Sequence, residues 1–328
     1  MSVAAIEFIG GVVLLLLGGR LLVSASIDAA RRLRVSPLVV GLTLVAWGTS
    51  APELALNVIS AFRGRGDLAI GNIVGANICN MALVLGICAL IRPLVVEARL
   101  IHVEVLLNAV ILTLMAALSL ASSYATWAAG LMFGIFGAYS MWTIMAALRH
   151  SDRSLAPHES PLGPNPIQST VPMGWPQIGV CFAGGLALLA TGGSFASDGA
   201  SDIAVALGVP PAVVGVTVVS IGTTMPEIVT GVIAVRRGQA DLAMGNAIGS
   251  CLFNAGAIFG LTGLVAAPQV GATFAVPLGY MALLAIALVV MSRSFNRTIS
   301  RLEGAILLSS YVAFLALIAA IVLTGRTS

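Results

Sequence analysis

The chain has 328 residues, of which 59% are hydrophobic and only 9% charged, and its mean hydropathy is +1.05. Soluble domains carry about a quarter charged residues, so a water-covered globule is excluded, and the lack of polar–apolar alternation excludes an outer-membrane barrel. The net charge of +3 comes entirely from arginines that lie scattered between apolar stretches, which excludes a basic nucleic-acid surface.

What remains is an all-α integral membrane protein. A helix needs about 20 apolar residues to cross the hydrocarbon, and ten stretches qualify: about 5–30, 36–61, 68–91, 100–122, 126–148, 177–203, 210–235, 242–265, 273–292 and 303–324. The first is too long, and too closely followed by the second, for a cleaved signal peptide. It carries Arg20, which needs a partner or a route to an interface. The loops after spans 1, 3, 5, 7 and 9 hold Arg31, Arg32, Arg34, Arg92, Arg99, Arg149, Arg153, Arg236, Arg237, Arg293, Arg297 and Arg301, against Arg63, Arg65 and Arg326 on the other side. The positive-inside rule therefore puts those loops in the cytoplasm and both termini outside.

In the second span, Gly48-Thr49-Ser50-Ala51-Pro52-Glu53 interrupts an apolar run near the bilayer centre. Proline removes a backbone donor and clashes with the preceding turn, so a break is expected here, freeing carbonyls such as that of Ala46. Broken backbone at this depth is tolerated only when buried in protein or lining a wet cavity. With hydroxyls and a carboxylate beside it, the segment offers the all-oxygen shell that Ca²⁺ and Na⁺ prefer. An intramembrane carboxylate marks an ion or proton pathway by default.

The third span opens with Asp67-x3-Gly71-Asn72-x2-Gly75-Ala76-x3-Asn80. Gly71 and Gly75, spaced i, i+4, suit close helix approach. Residues 72, 76 and 80 share one helical stripe, and Asn80 can offer an amide oxygen to a cation. Asp67, like Asp241 at the start of span 8, is read as an N-cap. The four cysteines, Cys79, Cys88, Cys181 and Cys251, fall within spans without metal-ligand spacing and are read as small packing residues. Three histidines (His102, His150, His158) take ordinary surface or packing roles.

After span 5, residues 149–176 are polar and hold six prolines, which suits a flexible cytoplasmic connector. Beyond it the first half is repeated. Adding 174 to residue numbers aligns the halves without a gap, and 24 of the 57 positions from Val35 to Ile91 are identical to their partners. Gly222-Thr223-Thr224-Met225-Pro226-Glu227 repeats the first motif, with Ser220 in the place of Ala46. Asp241-x3-Gly245-Asn246-x2-Gly249-Ser250-x3-Asn254 repeats the second. Five spans per half invert the second copy, so the expected fold is ten transmembrane helices as two inverted five-helix repeats. The expected divisions are 1–148 (motif 41–91), a 149–176 linker and 177–328 (motif 215–265). Inverted repeats place a transporter's substrate at the midplane.

These paired motifs resemble the two α-repeats of the calcium/cation antiporter superfamily, specifically the prokaryotic sodium/calcium exchangers. The resemblance implies Na⁺-driven Ca²⁺ transport by alternating access, with helices 1 and 6 sliding across a core. It implies Ca²⁺ ligands at Glu53, Glu227, Thr49 and Thr223, and Na⁺ ligands at Ala46, Ser50, Ser220, Thr224, Ser250, Asn80 and Asn254. Ala76 departs from a common serine, Asn254 from an aspartate found in several members, and Cys251 from a frequent asparagine.

No enzymatic role, cofactor, nucleic acid or obligate protein partner is expected. The lipid bilayer of the cytoplasmic membrane, Ca²⁺ and Na⁺ are the implied partners. A cation/H⁺ exchanger using the same glutamates is the alternative, and a passive cation channel a weaker one. An intramembrane hydrolase fits poorly, because its catalytic residues are needed once while these polar positions are doubled.

Overall fold

With no water in the hydrocarbon to bond backbone groups, apolar stretches of this length fold as helices, which satisfy their own N–H and C=O groups. A computed structural model describes residues 2–64, 66–95, 101–120, 126–149, 172–209, 220–265, 274–293 and 297–324. Helix α1 is Ser2–Leu33. The next expected span is split into α2, Pro37–Thr49, and α3, Ala51–Phe62, with a 46° bend at the break beside Pro52. Helix α4 runs from Gly66–Ile78 through a π-helical stretch, Cys79–Val84, to Leu85–Ile91. Helix α5 enters through a π stretch, Ile101–Val105, and continues as Leu106–Leu120, followed by α6, Thr126–Arg149.

Helix α7 is Trp175–Ala206. A short α8, Ser220–Thr223, and α9, Met225–Arg236, flank a turn at Thr224. Helix α10 runs from Ala240–Leu252 through the π stretch Phe253–Ile258 to Phe259–Val265. Helices α11, Ala275–Arg293, and α12, Arg301–Leu323, complete the set. Two-residue strands β1, Leu94–Val95, and β2, Thr298–Ile299, form one antiparallel rung that ties the end of α4 to the start of α12.

Among the described residues eight helices are long and apolar enough to cross a membrane, or nine if the bent pair α2–α3 counts as one span. The expected 210–235 span is described only from Ser220 onward. Most of the expected connector, with His150 and His158, lies outside the described residues. The connector's last residues are held against α1, where the Met173 N–H donates to Asp28 at 3.1 Å and Arg32 donates to the Met173 carbonyl at 2.6 Å.

Large apolar side chains cover much of the outside, and a mostly apolar interior encloses the two glutamates. Ile6 is 70% exposed, Val180 73% and Leu302 71%, whereas Glu53 is 3% and Glu227 1% exposed. This multi-pass membrane protein therefore turns many large apolar side chains to lipid and these two carboxylates inward.

Lipid provides no hydrophobic drive between helices, so close backbone contact must hold them together. Helices α1 and α7 pack along much of their length. A Cβ on Gly18 would sit 2.7 Å from the Gly185 carbonyl, and one on Gly185 would sit 3.0 Å from the Gly18 carbonyl.

Candidate cation site

The two glutamates sit in the first turns of α3 and α9, each just after a proline at the start of its helix. Pro52 and Pro226 lack an N–H, so the helix cannot run straight through, and a new N-terminus begins after each break. The expected break is present at both positions. Its bonding differs in one detail: the Ala46 carbonyl is not freed but accepts the Ser50 N–H at 3.0 Å. The carbonyl that loses its helical donor is that of Gly48, four residues before Pro52.

Glycine at 48 and 222 has a packing reason. A Cβ on Gly48 would come 2.8 Å from Leu186, and one on Gly222 would collide with Ser197. Both Leu186 and Ser197 belong to α7, so glycine lets α7 pass against both breaks.

Helix α2 crosses α10 through Gly245 and Gly249. A Cβ on Gly245 would lie 2.6 Å from the Leu38 carbonyl, and one on Gly249 2.7 Å from the Leu42 carbonyl. Both sequence-predicted close approaches of the second motif are therefore present. Gly71 of the first meets only the Phe274 ring, at 3.5 Å. Behind the crossing, Trp47, Phe136 and Phe253 stack and pack edge-on, with centroids 5.6 to 6.4 Å apart, bracing α2 and α10 against α6.

This crossing brings the two halves onto each other. Ser50 Oγ donates to Glu227 Oε1 at 3.2 Å, and Thr49 also reaches Glu227. Thr49 Oγ1 lies 3.3 Å from Asn246 Oδ1, with the Ala46 carbonyl as its other acceptor at 3.4 Å. Glu53 and Glu227 are close enough to interact electrostatically. Helix α9, carrying Glu227, packs on the π stretch that holds Asn80, and α3, carrying Glu53, packs on the π stretch that holds Asn254. Each glutamate thus has the other half's asparagine on a neighbouring element.

The burial of these oxygens is nearly complete, and their bonding is not. Glu53 Oε2, Glu227 Oε2, Asn80 Oδ1, Asn254 Oδ1 and Ser250 Oγ are buried without a hydrogen-bond partner among the described residues. A buried acceptor without a donor costs free energy, and a buried carboxylate much more. Such acceptors, on the two glutamates and on elements packed against them, have the chemistry of a cation shell: hard oxygens and two negative charges, with the Thr49 and Ser50 hydroxyls beside them.

Thr224 is buried at the second break, Thr223 is half-buried beside it, and Ser220 begins α8 with its side chain outside the described set. Asp241 is not a cap: Gln239 holds that position and Asp241 lies inside the first turn of α10. The side chains of Asp67 and His102 lie outside the described residues. Cys79 contacts the Tyr311 hydroxyl at 3.1 Å, and Cys251 points its thiol at the Asn77 carbonyl at 3.8 Å.

Sequence reasoning missed Asn57, Asn77 and Thr230, all fully buried and all with unpartnered side-chain atoms among the described residues. Asn57 was findable, being an intramembrane amide one helical turn from Glu53.

Residues 3–145 and 178–320 each match the family described as Sodium/calcium exchanger protein. The chain is 35% identical to the CaxA protein of Alkalimonas amylolytica over 96% of its own length and 98% of that protein's. It is 29% identical to the sodium/calcium exchanger MaX1 of Methanosarcina acetivorans over 93% and 95% of the two lengths. Among solved structures, the sodium-calcium exchanger NCX_Mj soaked with Na⁺ and Ca²⁺ superimposes with a TM-score of 0.80. That match covers 95% of this chain and 97% of the other at 25% identity.

Proposed function

This chain belongs to the sodium/calcium exchanger protein family, and from that premise we propose that it exchanges Ca²⁺ for Na⁺ by alternating access, holding the ion between Glu53 and Glu227. Membership makes it a cation-exchange antiporter, not an enzyme. The observation that carries the finer reading is the set of buried oxygens without partners among the described residues, on the two glutamates and on elements packed against them.

In this reading ten helices form two inverted repeats, 1–148 and 177–328, joined by a cytoplasmic linker. The protein lies in the cytoplasmic membrane with both termini outside. Ca²⁺ takes the two carboxylates with Thr49 and Thr223. Na⁺ additionally uses Ser50, Thr224, Ser250, Asn80, Asn254 and oxygens of Ala46 and Ser220. Two carboxylates are neutralised by one Ca²⁺ or by two Na⁺, so the two cargoes compete for the same charge. Helices α1 and α7, which carry neither glutamate, slide over the core to expose the site to one side and then the other. Their glycine-lined contact supports motion of the pair as a unit.

The test is ⁴⁵Ca²⁺ uptake into Na⁺-loaded proteoliposomes. Uptake that needs the outward Na⁺ gradient and disappears in Glu53→Gln and Glu227→Gln supports the proposal. Uptake that follows an imposed pH gradient and ignores Na⁺ assigns the same glutamates to cation/H⁺ exchange instead.

A further inference from the structure

The repeat relation is broken one turn beyond the glutamates, and the exception has the chemistry of a binding site. Asn57 stands four residues after Glu53 on α3, on the same face of the helix. It is fully buried. Its amide nitrogen donates to the Glu53 carbonyl at 2.7 Å and to Asn72 Oδ1 at 2.7 Å. An asparagine amide has two hydrogens, so both are spent, and this fixes which way the group points. Its Oδ1 is left without a donor among the described residues.

The matching residue of the second half is Gly231. There a Cβ would lie 3.1 Å from Cys88 Sγ and 3.3 Å from Val84 Cγ1, where α9 packs on the end of α4. Carrying the pair Gly231–Cys88 across the 174-residue offset gives Asn57 and Thr262, on α3 and the end of α10, which also pack together. Thr262 is 1% exposed, and its Oγ1 too has no partner among the described residues. One half therefore closes this place with glycine, thiol and valine. The other carries an amide oxygen and a hydroxyl at the matching positions, each buried and without a partner among the described residues.

We propose that Asn57 Oδ1 and Thr262 Oγ1 line a second cation position, one turn from Glu53 toward the α3–α4 turn, with no counterpart on the α9–α10 side. Its own oxygens are neutral, so it suits a monovalent hard cation, Na⁺, better than Ca²⁺, which draws on carboxylates. The position rests on the antiport reading above and adds to it a difference between the two membrane faces. Na⁺ is held one step from the central site on one access route and not on the other.

The experiment is Na⁺- and Ca²⁺-dependent thermal stabilisation of the purified full-length protein, with choline chloride holding ionic strength constant. Thr262→Val removes the hydroxyl at constant shape, and Asn57→Leu removes the amide. Each is expected to raise the Na⁺ concentration for half-maximal stabilisation about fivefold, the worth of one ligand contact, while leaving that for Ca²⁺ within twofold. If Asn57→Leu does not fold, Thr262→Val carries the test. Na⁺ curves of Thr262→Val that superimpose on the parent overturn the proposal, since a buried water then satisfies these atoms. Equal weakening of Na⁺ and Ca²⁺ also overturns it, because both groups then serve the central site. Failure of the antiport reading shows separately, as parent protein that performs no Na⁺-dependent Ca²⁺ uptake in proteoliposomes.

Discussion

Ser50 Oγ donates to Glu227 Oε1 across 3.2 Å, so a hydroxyl from the first half of the chain holds a carboxylate from the second. The two breaks are therefore one site, and a change at either end of this bond is felt at the other.

Removing that hydroxyl gives the first prediction. Hydrogen bonds to charged groups contribute about 1.5–3 kcal/mol. Ser50→Ala is expected to weaken half-saturation by Ca²⁺ about tenfold or more in ⁴⁵Ca²⁺ uptake. Ser50→Thr, which copies Thr224 at the matching position, retains most of the affinity. Equal loss in both variants would show that the hydroxyl is not what matters.

Neutralising either glutamate should be far more costly. A buried charge arrangement that loses one member is weakened by about 3–5 kcal/mol, so Glu53→Gln and Glu227→Gln each reduce Ca²⁺ affinity by at least about 100-fold. Ca²⁺-dependent thermal stabilisation measures this without requiring transport. Protons compete with the cation for these oxygens, so Ca²⁺-dependent stabilisation of the parent protein weakens as pH falls, and each variant, with one carboxylate fewer, loses part of that pH dependence.

Asn254 carries a third prediction, about charge. With two carboxylates the site balances two positive charges. Asn254→Asp adds a third ionisable group on the π stretch packed against α3. The variant is expected to move more Na⁺ per Ca²⁺ and to respond more steeply to an imposed membrane potential, read from paired ²²Na⁺ and ⁴⁵Ca²⁺ fluxes with the potential clamped. An unchanged flux ratio would place residue 254 outside the charge balance.

The α2–α10 crossing can be tested through stability. Gly245→Ala forces a methyl to 2.6 Å from the Leu38 carbonyl, and overpacking of this kind costs about 1–3 kcal/mol. Its Tm should fall by several degrees. Gly10→Ala, where a Cβ meets nothing within 4 Å, is the control, expected to be neutral or mildly stabilising because alanine is the better helix former.

Much of this was legible along the chain. Pro52 and Pro226 forecast the breaks, because a missing N–H acts on its own helix whatever surrounds it. The 174-residue offset located the glutamates as a pair, and the glycine spacing at 245 and 249 forecast the close crossing. Errors arose where one neighbour's position decides. The Ala46 carbonyl was expected to be free, yet it keeps its ordinary helical donor, the Ser50 N–H four residues on. Asp241 was expected to cap α10, yet Gln239 is the cap and the helix begins at Ala240, two residues earlier than a cap at Asp241 would place it.

By itself, the amino-acid sequence determined that this chain lives in lipid as helices, where those helices break, and which two carboxylates stand at the breaks. Each of these follows from local rules: hydropathy over about 20 residues, backbone groups that must be satisfied within the segment, and proline's effect on its own turn. Only the tertiary structure decided that Ser50 serves Glu227, that Asn57 spends both amide hydrogens, and that Gly231 packs on Cys88 whereas Asn57 keeps an Oδ1 without a partner among the described residues. Those outcomes depend on which backbones approach within van der Waals contact across more than 170 residues of chain. Two halves alike in sequence can therefore surround one site unequally.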